Sequence, residues 1–173
     1  PQTMNQETLD IIGRRHTVEE TEKAFLLARE LGFDNINMDL IVGLPGEDIS
    51  KVRNTLDRVR ALAPDSLTVH SLAVKRAARL NMFKDKYQEM TFENNQEIMN
   101  LTMEAAREME MSPYYLYRQK NMKGNFENVG YAKAEKAGIY NILIMEEKQP
   151  IIALGAGGSS KLVFDGGRRI ERV

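Results

Sequence analysis

The chain has 173 residues, 42% of them hydrophobic and 28% charged, with 24 Lys and Arg against 25 Asp and Glu. That is a globular composition of about one domain's length, and a formal net charge of -1 offers no bulk attraction to nucleic acid or to an acidic membrane. There is no cysteine, which excludes disulfides, thiolate catalysis and any Cys-ligated zinc or iron–sulfur site within these residues.

Asn5 stands where an N-cap belongs, ahead of a short helical stretch over residues 6–14. Thr17-Val18-Glu19-Glu20 is a capping-box pattern, and Val18, Ala24, Phe25, Ala28 and Leu31 follow it at helical spacing, with Gly32 as C′ residue. Over residues 35–42 the side chains alternate, which predicts a strand. Gly43-Leu44-Pro45-Gly46 then suits a type II turn, and Glu47 and Asp48 favour the positive end of a new helix. Ile49, Val52, Leu56, Val59 and Leu62 mark the buried stripe of that helix, Pro64 ends it, and residues 66–72 form a second short strand. Helix, strand, helix, strand with short connections is the grammar of a parallel α/β sheet.

Residues 74–90 are basic and weakly periodic, a loop or a solvated helix. Residues 91–111 predict a long helix with Ile98, Leu101, Thr102, Ala105 and Met109 on one face. Tyr114, Tyr115 and Tyr117 suggest a strand, and residues 119–130 a polar loop. Residues 139–145 are ambiguous between helix and strand. Residues 151–154 read as a buried strand entering the Gly155-Ala156-Gly157-Gly158 run, and residues 161–164 and 168–173 as a hairpin about Asp165-Gly166-Gly167.

Few residues stand out chemically. The glycine run matches neither a P-loop nor a dinucleotide fingerprint, and is either a tight structural turn or a ligand-contacting loop. Asp39 interrupts an otherwise apolar and amide strand near its carboxyl end, where α/β sheets bind ligands; it makes a salt bridge, stands on the solvated face, or accepts a hydrogen bond from a ribose hydroxyl. Arg14, Arg15 and His16 follow a short helix, as solvated cations or as a fork for a carboxylate. His70 and the tyrosine cluster fit sheet packing better than catalysis.

Gln2-Thr3-Met4-Asn5, Ile12-Gly13-Arg14-Arg15-His16 and Asn35-Ile36-Asn37-Met38-Asp39-Leu40-Ile41-Val42-Gly43-Leu44-Pro45 resemble the second half of a radical S-adenosylmethionine (SAM) barrel. More narrowly, they resemble the oxygen-independent coproporphyrinogen III oxidase family, as do Asn141-Ile142-Leu143 and the segment 153–160. The resemblance implies a partial parallel-sheet (β/α) barrel over residues 1–73, followed by an α+β region over residues 74–173. It implies S-adenosylmethionine as cofactor, with Gln2 contacting it, Arg14 near its methionine carboxylate, Asp39 as an acidic contact and Ile41 against adenine.

The family's reaction is an oxidoreduction of porphyrin and haem biosynthesis. A [4Fe–4S] cluster cleaves S-adenosylmethionine to a 5′-deoxyadenosyl radical, and two propionates in turn lose carbon dioxide to leave vinyl groups. The Cys-x-x-x-Cys-x-x-Cys loop that holds the cluster is not here, so the expectation is a piece of a longer cytoplasmic enzyme, inactive alone, whose N-terminal half binds the cluster. The expected partners are that half, a porphyrinogen substrate and a second copy through an open edge strand, with neither nucleic acid nor membrane. Lys75, Arg76, Arg79 and Arg118, Lys120, Lys123 either steer substrate propionates or are solvated charge runs; Arg76, Arg79, Arg118 and Lys123 are the substrate-binding candidates. No residue is expected to be catalytic or to bind metal by itself. The alternatives are a haem chaperone of the same superfamily and a non-catalytic α/β binding module.

Overall fold

The structure, a computed structural model, describes residues 1–72, 93–117 and 126–172. These fall into two compact units, Pro1–Ala137 and Gly138–Val173. The division expected at residues 73 and 74 falls where a stretch outside the described residues begins, and the strands that follow it join the same sheet as those before it.

The first unit opens with α1 (Gln6–Ile11) and α2 (Val18–Glu30). Asn5 takes the N-cap position of α1 without a side-chain cap bond, because its Oδ1 accepts instead from Asn54 Nδ2 at 2.7 Å. The capping box of α2 forms as its sequence dictates: Glu20 N–H donates to Thr17 Oγ1 at 3.1 Å and Thr17 N–H to Glu20 Oε2 at 2.7 Å. Of the stripe expected on α2 only Val18 and Phe25 are buried, whereas Leu31 is 68% exposed. The helix lies against α3, while Leu26, Leu27 and Leu31 stay exposed.

Strand β1 (Asn37–Val42) buries alternate residues, Met38, Leu40 and Val42. Leu44-Pro45-Gly46-Glu47 then turns the chain. Glu47 N–H donates to the Leu44 carbonyl at 3.2 Å, and Gly46 takes the φ of 72° that a type II turn needs at its third residue. Helix α3 (Ile49–Leu62) starts at Asp48, whose carboxylate accepts from Ser50 Oγ at 2.6 Å and Lys51 N–H at 3.0 Å; these bonds hold its pKa below the usual range. Its buried face is Val52, Thr55, Leu56 and Val59. Strand β2 (Ser66–Ser71) runs parallel to β1 in register, Asp39 opposite Thr68 and Ile41 opposite His70.

Beyond the basic stretch, α4 (Gln96–Glu108) is capped by Asn95, which accepts from Ile98 N–H at 2.9 Å. It buries Ile98, Thr102, Ala105 and Ala106 and lies against α3. Strands β3 (Ser112–Tyr117) and β4 (Asn128–Ala132) complete a four-stranded mixed sheet of order β1-β2-β4-β3, with both later pairings antiparallel. Strand β4 is a correction to the expected polar loop. Only two large apolar residues, Val129 and Tyr131, flank Gly130, so the sequence carries little strand signal, yet every residue of β4 is buried because neighbours pair on both sides. The architecture is thus α/β, its parallel pair extended by an antiparallel one. Met38, Leu40, Val42, Leu67 and Val69 form the core with apolar residues of α2, α3 and α4.

The second unit holds α5 (Ile139–Met145) and a hairpin of β5 (Lys161–Phe164) and β6 (Arg169–Arg172) about a 3-10 turn at Asp165–Gly167. The buried strand expected at residues 151–154 is not formed. Ile151 alone bridges to Lys161, the Ala153 N–H turns to Ser160 Oγ at 3.1 Å, and Leu154 is 92% exposed. The chain leaves the ladder into a tight turn closed by Gly158 N–H on the Gly155 carbonyl at 3.1 Å, which no extended segment can make. Among the described residues no helix is long and apolar enough to cross a membrane.

Candidate functional site

Strand alternation puts Met38, Leu40 and Val42 into the core, and therefore turns Asn37, Asp39 and Ile41 to the opposite face of the sheet. Parallel register carries that face across β2 through Ser66, Thr68 and His70. On β4 the residue opposite Thr68 is Gly130, and on β3 the residue opposite Gly130 is Tyr115. Asp39, Thr68, Gly130 and Tyr115 are therefore one row across four strands.

Gly130 makes room for Tyr115, whose ring lies over it and brings the phenol to 3.5 Å from Thr68 Oγ1. Thr68 donates to Asn37 Oδ1 at 3.2 Å, and Asn37 Nδ2 donates to Asp39 Oδ1 at 2.6 Å. Burial raises the Tyr115 pKa; Thr68 opposes the shift, and the Tyr114 phenol and the Asp39 charge add to it. The tyrosine cluster thus packs within the sheet, Tyr114 and Tyr115 meeting edge to face at 4.9 Å.

Gln2 reaches the site through the backbone. Ile41 N–H donates to its carbonyl at 2.9 Å, so the first residues lie along the outer edge of β1. Thr3, Asn5, Glu47 and Thr55 clasp this segment to the turn after β1 and to α3: Glu47, 2% exposed, accepts from Thr3 Oγ1 at 2.6 Å and Asn5 Nδ2 at 2.9 Å. Gln2 Oε1 is buried with no hydrogen-bond partner among the described residues. It borders a void of about 10 Å³ with Leu40, Glu47 and Thr55, room for at most one water.

Arg14 is exposed, and its guanidinium makes no ion pair among the described residues. The geometry therefore sets Asp39, midway along β1, on one face with Ile41 and brings the Gln2 backbone beside Ile41. Arg76, Arg79, Arg118 and Lys123 lie outside the described residues. Sequence reasoning passed over Asn37, Thr68 and Gly130. The Asn37-x-Asp39 spacing signals a shared strand face, but Thr68 and Gly130 are visible only through register.

Residues 1–59 match the radical SAM superfamily profile. The chain is 48% identical, over 94% of its length, to the oxygen-independent coproporphyrinogen-III oxidase-like protein HemZ of Bacillus subtilis, and covers 32% of that protein. It is 35% identical to the heme chaperone HemW of the same organism over 43% of this chain and 20% of that one. It is 39% identical to the oxygen-independent coproporphyrinogen III oxidase of Pseudomonas aeruginosa over 42% of this chain and 16% of that one. The chain thus spans a third or less of these curated relatives. The Escherichia coli coproporphyrinogen III oxidase HemN shares the fold, with a TM-score of 0.67 and 20% identity over 92% of this chain and 37% of its own. The chain is thus similar to the radical SAM superfamily over residues 1–59 and to a coproporphyrinogen III oxidase-like protein over nearly all of its length.

The residues present fit part of what such a protein binds. Among the described residues the Arg14 guanidinium makes no ion pair and Asp39 commits one oxygen to Asn37, groups suited to the carboxylate and ribose of S-adenosylmethionine, whereas the Gln2 amide oxygen meets a void with room for one water. They do not fit a [4Fe–4S] cluster, because no residue of the chain is a cysteine.

Proposed function

We propose that the protein carrying this chain is a radical SAM oxidoreductase acting on a coproporphyrinogen-type substrate, and that these residues supply part of its cofactor site. The observation that carries the reading is the turning of Asp39 and Ile41 to one face of β1, with the Gln2 backbone bonded beside Ile41. Asp39 accepts a hydrogen bond from a ribose hydroxyl, Arg14 offers its planar fork to the methionine carboxylate, Ile41 packs on adenine and Gln2 borders the ligand beside Ile41. When bound beside a cluster held by cysteines outside these 173 residues, S-adenosylmethionine supplies a radical that takes one hydrogen atom from the substrate. Loss of carbon dioxide and transfer of one further electron to an external one-electron acceptor would then turn a propionate into a vinyl group. Arg76, Arg79, Arg118 and Lys123 steer the propionates. Location in the cytoplasm follows from the same reading.

A second reading, a haem chaperone, is favoured by the 35% identity to a protein of that name. The test uses the full-length protein, purified without oxygen and reconstituted with iron and sulfide. Cleavage of S-adenosylmethionine to 5′-deoxyadenosine is followed with and without coproporphyrinogen in wild type, Asp39→Ala and Arg14→Ala. Cleavage that depends on both residues, with decarboxylation of the porphyrinogen, supports the oxidoreductase. Cleavage with the porphyrinogen untouched removes the substrate assignment, and haem transfer without turnover replaces it with the chaperone. No cleavage at all would leave a binding module.

A further inference from the structure

We propose that Asn37 is a positioning residue that fixes the Asp39 carboxylate for a ribose hydroxyl, an inference that rests on the reading of Asp39 as a cofactor contact. Both residues stand on the same face of β1, two apart, and the bond from Asn37 Nδ2 to Asp39 Oδ1 is short, 2.6 Å. It occupies one carboxylate oxygen and leaves Oδ2 uncommitted among the described residues.

Asn37 is itself oriented. Thr68 donates to its Oδ1 at 3.2 Å, and Thr68 is 2% exposed, held by a strand paired on both sides. The Tyr115 phenol, 3.5 Å from Thr68 Oγ1, completes a series in which every group donates in one direction, from Tyr115 through Thr68 and Asn37 to Asp39. A flipped Asn37 amide would set its carbonyl oxygen against the carboxylate and its NH2 against a hydroxyl that already needs an acceptor. The orientation is therefore dictated by chemistry.

An exposed aspartate on a strand would otherwise sample several rotamers and be ordered only when ligand binds. Fixing it beforehand reduces the ordering cost of binding and makes a hydroxyl at one place count. The consequence is selectivity: the site should distinguish a ribose from a deoxyribose only while Asn37 holds Asp39.

The experiment measures equilibrium binding to the full-length, cluster-reconstituted protein, without turnover. The probes are S-adenosylhomocysteine and its 2′-deoxy and 3′-deoxy analogues, and the variants are Asp39→Ala, Asn37→Ala and Asn37→Asp. Wild type should favour the ribose ligand over at least one analogue by about tenfold, as expected for a hydrogen bond to a charged group. Asp39→Ala should abolish that preference. Asn37→Ala should narrow it to within about threefold with an unchanged unfolding midpoint. Asn37→Asp, of the same shape but without the donor, should do the same and serves if the alanine variant does not fold. If both Asn37 variants keep the wild-type ratio while Asp39→Ala loses it, or weaken all three ligands equally, positioning is refuted and the cofactor reading of Asp39 stands. If Asp39→Ala keeps the ratio, that reading of Asp39 fails and the inference fails with it.

Discussion

The ring of Tyr115 lies so close over Gly130 that a Cβ at residue 130 would stand 1.9 Å from Tyr115 Cε1. One missing side chain in β4 therefore sets the position of an aromatic ring in β3, and with it the phenol that ends the polar row.

Gly130→Ala should accordingly destabilise the protein by about 1–3 kcal/mol, the range of a small overpacking change. Tyr115→Ala removes the obstruction, so the two changes together should be less destabilising than the sum of each alone. Urea unfolding of the four species closes this cycle, and additive effects would show that ring and glycine do not interact.

Arg29 and Asp65 meet at 2.6 Å at the opposite end of the sheet, where Asp65 also accepts from Ile36 N–H at 2.8 Å. Burial alone would raise the Asp65 pKa, but the Arg29 bond and charge and the Ile36 amide outweigh it, and the carboxyl is held below its usual value. A depressed carboxylate pKa contributes stability that is complete above the unfolded value, about 3.9, and is lost as pH falls through the lower folded value. Asp65→Asn should thus reduce stability by about 2 kcal/mol at pH 7, and by progressively less below about pH 4. Denaturant titrations at pH 7 and pH 3 test this, and a difference that does not change with pH would refute it.

The clasp around Glu47 offers a third test. Thr55 Oγ1 accepts from Met4 N–H at 3.1 Å and is 3.0 Å from Thr3 Oγ1. Thr55→Val keeps the volume but leaves the buried Met4 N–H without its acceptor, for about 1–3 kcal/mol. Thr55→Ser should recover most of that loss. Hydrogen exchange at the Met4 amide should accelerate in the valine variant alone; equal protection in both would show that the clasp does not hold the segment.

Local chemistry made much of the first unit legible in advance. The capping box at Thr17 and Glu20, the turn at Pro45-Gly46 and the buried stripes of α3 and α4 need only neighbours a few residues away, and such short-range demands are written in the order of residues. Alternation along β1 likewise placed Asp39 and Ile41 on one face. The α2 surface and residues 151–154 misled because apolar spacing reports a capacity for burial, whereas burial itself depends on what packs there. Strand β4 was hidden for the converse reason: Asn128 and Gly130 look like loop residues until partners on both sides bury them.

The residues thus determined the helices and strands of the first 72 residues and which carboxylate interrupts β1. Only the tertiary structure decided that Asp39 shares a row with Thr68, Gly130 and Tyr115, that the Asn5 amide serves the Glu47 clasp instead of its own helix, and that Gln2 lies beside Ile41. Register and contact between segments dozens of residues apart are set by the packing of the whole unit, and no local pattern in the chain encodes them.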